Sequence, residues 1–60
     1  SYRIEIVLKD KGRATAKDIA KEFGMEKSDY IKTALHRMHN VVQLGSDGKE
    51  TIWGLKAFNA

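Results

Sequence analysis

Apolar positions recur along this chain with two different periods, and the period changes just after residue 40. Ile4, Val7 and Leu8 fall at helical spacing, and Lys11 extends the same face as a side chain whose stem lies along apolar surface. Tyr2, Ile4 and Ile6 also alternate, which makes an opening strand the competing assignment. The adjacent Val7-Leu8 pair breaks that alternation and favours a helix, which Gly12 then stops. A short extended link follows at Arg13-Ala14.

The second segment is more fully signed. Thr15 is placed to cap a helix, with Asp18 three residues on to favour its positive end. Ala16, Ile19, Ala20 and Phe23 then fall at i, i+3, i+4 and i+7, and Gly24 stands where a left-handed residue ends a helix. After a tight turn over residues 25–27, a third helix is predicted over about 28–39. Ser28 is its candidate N-cap, Ile31, Ala34, Leu35 and Met38 form its apolar stripe, and Asn40 is its terminator.

Beyond Asn40 the period falls from 3.6 to 2. Val41 to Leu44 are strand formers, residues 45–49 carry the turn chemistry "GSDGK", and Thr51 to Leu55 form a second strand. Trp53 and Leu55 share a face that is assigned to the core, and Phe58 is placed to close its edge. The chain reads as one domain over 1–60, either complete or part of a larger protein.

Composition narrows the function. Sixty residues bury only about 60% of their unfolded surface and offer no room for a deep pocket, so a binding module is expected rather than an enzyme. There is no Ser-His-Asp set, no paired acid in a predicted cleft and no phosphate-cradling glycine loop. Cysteine is absent, which excludes disulfides and thiolate metal sites. His36 and His39 lie three apart on the third helix without a third ligand, so neither metal nor cofactor is expected. No apolar run reaches the ~18 residues of a membrane span, and cytoplasm (bacterial or phage) or nucleus is the expected compartment. Eleven Lys and Arg against eight Asp and Glu leave a mild basic excess suited to a polyanion. That excess is thin: in residues 41–60, Lys49 and Lys56 are matched by Asp47 and Glu50.

The order helix, link, helix, tight turn, helix, hairpin resembles the winged helix-turn-helix family. The resemblance is carried by "VLKDKGRATAKDIAKEFG" (7–24), "SDYIKTALHRM" (28–38) and "VVQLGSDGKETIWGL" (41–55), nearly the whole chain. It implies a small α+β fold of three helices followed by a two-stranded β-hairpin wing. It also implies a double-stranded DNA-binding module in a transcriptional regulator or a replication or recombination protein. In that family the third helix lies in the major groove, and the wing, here about 45–50, touches the backbone nearby. The Gly24-to-Ile31 spacing is one residue longer than in many members. The layout is similar, too, to Z-DNA-binding domains, which put Asn and Tyr four apart on the third helix and a Trp in the wing. Trp53 matches; Lys32 and His36 fall near the other two positions, and Thr51-Ile52 replace a Pro pair.

Under this resemblance Ser28, Lys32, Thr33, His36 and Arg37 are the candidate groove contacts. A groove ~12 Å wide admits a helix, and these side chains donate or accept at base edges. Arg37 is the best single candidate because its planar fork binds guanine or phosphate in bidentate fashion. Asp29 shares the outward arc and repels phosphate. Tyr30 either covers the core edge or offers its hydroxyl to a phosphate. Arg13, Lys17, Lys27 and Lys49 are candidate phosphate contacts, with Lys21 beside them. For each cation the competing role is a solvated surface charge. The alternative function is a winged-helix protein–protein interaction module that binds no DNA. The expected partners are double-stranded DNA and either a second copy of the chain or the remainder of a larger protein.

Overall fold

In the computed structural model, which describes residues 2–59, the stripes read from the sequence converge on one core. Ser1 and Ala60, the ends of the expected 1–60 domain, lie outside the described residues. Helix α1 (Tyr2–Lys11) contributes Ile4 and Leu8, helix α2 (Ala16–Glu22) contributes Ala16, Ile19 and Ala20, and helix α3 (Asp29–Arg37) contributes Ile31 and Leu35. Val7, Phe23, Ala34 and Met38 pack half-buried around them. Ala20, a small side chain on α2, is buried where α2 packs on α3.

The segment from α2 to α3 is fixed locally. Thr15 Oγ1 accepts from the Asp18 amide at 3.2 Å, while Asp18 Oδ2 accepts from the Thr15 amide at 3.5 Å, completing a capping box. Gly24 has φ +70°, the left-handed conformation that reverses the chain after α2. The third helix is shorter than the predicted 28–39. Ser28 precedes it but makes no side-chain cap, and Met38 leaves the helical region with ψ 137° before Asn40 is reached.

The two-stranded wing is a correction: the structure has a three-stranded antiparallel sheet, in the order β1-β3-β2. The expected link at Arg13-Ala14 is a strand, β1 (Arg13–Thr15), which pairs Arg13 with Gly54, Ala14 with Trp53 and Thr15 with Ile52. Ala14 is buried against the sheet, so a short extended segment gains both ladder bonds and core contact. Strands β2 (Val41–Asp47) and β3 (Glu50–Leu55) form the hairpin. Its turn is only Gly48-Lys49, not residues 45–49. A bulge between Gln43 and Gly45 absorbs the extra residue, so Gly45 and Ser46 pair with Ile52 and Thr51.

Strand β3 is therefore central, with Trp53 and Leu55 in the core as assigned. Phe58 does not close that edge. It lies in a short 3₁₀ turn (Lys56–Phe58) and is 58% exposed. Next to it, Asn59 Nδ2 donates to the Leu55 carbonyl at 2.8 Å. Among the described residues no helix is long and apolar enough to cross a membrane.

Candidate functional site

Helix α3 and the hairpin meet along one seam. Successive helical residues are rotated by about 100°, so with Ile31 and Leu35 held in the core, Lys32 and His36 emerge on one flank of α3. Thr33 and Arg37 emerge on the other. The seam forms on the first flank. The imidazole of His36 meets the indole of Trp53 edge-on, with ring centroids 5.2 Å apart and planes at 88°. One turn earlier, Lys32 Nζ lies 3.9 Å from Glu50 Oε2, across from α3 to the first residue of β3. Lys32, His36, Lys49, Glu50, Thr51 and Trp53, with Ala16 at the base, line a hollow of about 130 Å³.

The other candidates are distributed around this seam. Lys17, Lys27 and Ser28 line a broader depression of about 560 Å³ together with Lys21, and its acidic wall is Glu26, Asp29 and Glu50. Thr33 and Arg37 line a groove of about 570 Å³ on the α1 side of α3, with Glu5, Tyr30, Met38 and His39. The Thr33 hydroxyl donates to the Asp29 carbonyl at 3.1 Å, which leaves its oxygen lone pairs for a ligand. Tyr30 does not cover the core; it is 67% exposed. Arg13, on edge strand β1, lines none of these three hollows.

The nine candidate residues thus do not form one continuous arc. Lys32, His36 and Lys49 come together, Lys17, Lys27 and Ser28 adjoin them, Thr33 and Arg37 face away, and Arg13 stands apart. The two histidines also separate, His36 toward the hairpin and His39 toward the α1 groove. Among the described residues no three His, Asp or Glu side chains are grouped as metal ligands would be.

One residue of the seam escaped the sequence pattern. Glu50 touches Lys32 and borders both the small hollow and the broad depression. Its only sequence signal is an acid directly after the Gly48-Lys49 turn, at the first position of β3. Electrostatically the seam is mixed: Lys32 and Lys49 set against Glu50, with an aromatic floor. Such a surface suits a ligand that offers both negative charge and a flat apolar face.

Comparison with protein-family models, curated proteins and solved structures yields no significant match to this chain.

Proposed function

We propose that the chain is a double-stranded DNA-binding module of winged helix-turn-helix type, using α3 and the hairpin as one composite surface. The observation that carries this reading is the convergence of Lys32, His36, Lys49 and Trp53, from two separate elements, on one hollow. The cations supply phosphate contacts, while α3 presents His36 to base edges from the seam flank and Thr33 and Arg37 from its far flank. The hairpin tip at Gly48-Lys49 lies against the sugar–phosphate backbone.

The test is a titration with fluorescently labelled duplex and single-stranded DNA at several salt concentrations. Affinity for duplex that falls steeply with salt supports the reading. A domain that ignores DNA even at low salt and captures a protein partner is instead the protein-interaction module.

The His36–Trp53 contact favours a second reading for the form of the duplex. Lys32, His36 and Trp53 are the three positions singled out by the likeness to Z-DNA-binding domains, and all three line one hollow. Here the helix–hairpin seam faces a left-handed backbone, and the far flank of α3 is left free. The readings separate on one variant. Arg37→Ala weakens binding if α3 enters a major groove and leaves it unchanged if the seam alone makes contact. Circular dichroism of an alternating CG duplex gives the matching readout, its long-wavelength bands inverting on protein addition only in the second case.

A further inference from the structure

Glu50 is placed where an anion is least useful to a DNA-binding surface. Its Oε2 is 3.9 Å from Lys32 Nζ, and its Oε1 is sealed from solvent without a hydrogen-bond partner. Such a pair is a poor stabiliser. At this distance, with Lys32 about half exposed, the attraction is weak, and the orphaned oxygen costs desolvation energy that nothing returns. The effect on an approaching polyanion is larger. The same carboxylate borders the hollow of Lys32, His36 and Lys49 and the depression of Lys17, Lys21 and Lys27, standing between two groups of cations.

We propose that Glu50 is a built-in competitor for Lys32, a charge brake on polyanion binding; the inference rests on the DNA-binding reading above. In the free protein the carboxylate occupies the ammonium that a phosphate would take. Phosphate must displace it, and the displaced charge then remains beside the phosphate and repels it. Binding is thereby weakened for any phosphate backbone. Tight association comes to depend on contacts that a carboxylate cannot mimic, those of His36, Trp53 and the rest of α3.

The experiment compares the wild-type chain with Glu50→Gln, which keeps the shape, and Glu50→Thr, which suits a strand. Duplex affinity is measured across a salt series, with thermal unfolding as the control for folding. Both variants are expected to bind roughly three- to tenfold more tightly at low salt. The slope of log affinity on log salt should steepen by about one phosphate contact, because Lys32 is freed. In a Lys32→Met background the gain should shrink, which a merely structural role for Glu50 would not produce. If wild-type binding is salt-dependent but the Glu50 variants bind equally or more weakly, the brake is overturned and the DNA-binding reading stands. If none of these proteins binds duplex DNA, both are overturned.

Discussion

His36 on α3 and Trp53 on β3 meet as an edge-to-face pair, 5.2 Å between ring centroids, and the two sides of this contact do different work. Trp53 is 5% exposed and flanked by Ala14 and Gln43 on the neighbouring strands, whereas His36 lies on the surface. Trp53→Ala is therefore expected to cost about 3–5 kcal/mol of stability, and His36→Ala no more than about 1 kcal/mol. Chemical denaturation of the two variants checks this. Equal losses would mean that the contact is not organised as described.

The capping box makes a separate prediction about α2. Thr15→Ala removes the acceptor for the Asp18 amide and should lower stability by about 1 kcal/mol. Thr15→Ser keeps the hydroxyl and should recover most of it. A Ser variant as unstable as the Ala variant would show that the methyl packing of Thr15, not its hydrogen bond, carries the effect.

Gly54 tests how closely β3 is packed by its surroundings. A Cβ at this position would come within 2.6 Å of Leu44 Cδ1 and 2.7 Å of Asn59 Nδ2, and 3.4 Å from the Gly12 carbonyl. Gly54→Ala must turn aside the Leu44 side chain and disturb the Asn59 hydrogen bond, both movable side-chain ends, at a cost of about 1 kcal/mol. Gly45, in the neighbouring strand with open space around it, is the control, and Gly45→Ala should fall within about 0.5 kcal/mol of wild type. Thermal unfolding of both variants reads the difference.

These elements were legible in the sequence to different degrees, for physical reasons. Ile4, Leu8, Ile19, Ile31 and Leu35 declared the three helices because helical burial repeats within a few residues. Strand β1 shows in the sequence only as an extended link. Three residues carry no period, and its partner, Gly54 to Ile52, lies at the far end of the chain. The turn is narrower than its residue types suggest, since Gly45 looks like turn chemistry and is accommodated by a bulge. At the site, helical spacing placed Lys32, Thr33, His36 and Arg37 outward correctly. It could not say that the hairpin would claim one flank, separating Arg37 from Lys32 and bringing in Glu50.

The cations divide accordingly in their effect on affinity. Lys49→Gln should reduce the salt slope of duplex binding by about one, and Lys32→Gln by clearly less, because Glu50 already competes for Lys32 in the wild-type chain. Lys56→Gln, at the opposite end of β3 from the tip, should leave it unchanged. Fluorescence anisotropy across a salt series distinguishes these outcomes. Equal effects from all three would reduce the surface to diffuse charge.

The composite surface itself is tested most directly by following backbone amide shifts as duplex DNA is added to isotopically labelled protein. Salt-sensitive shifts are expected to concentrate in residues 28–37 and 46–53, with α1 and the 3₁₀ turn at Lys56–Phe58 little changed. Shifts confined to α1 or absent throughout would contradict that surface.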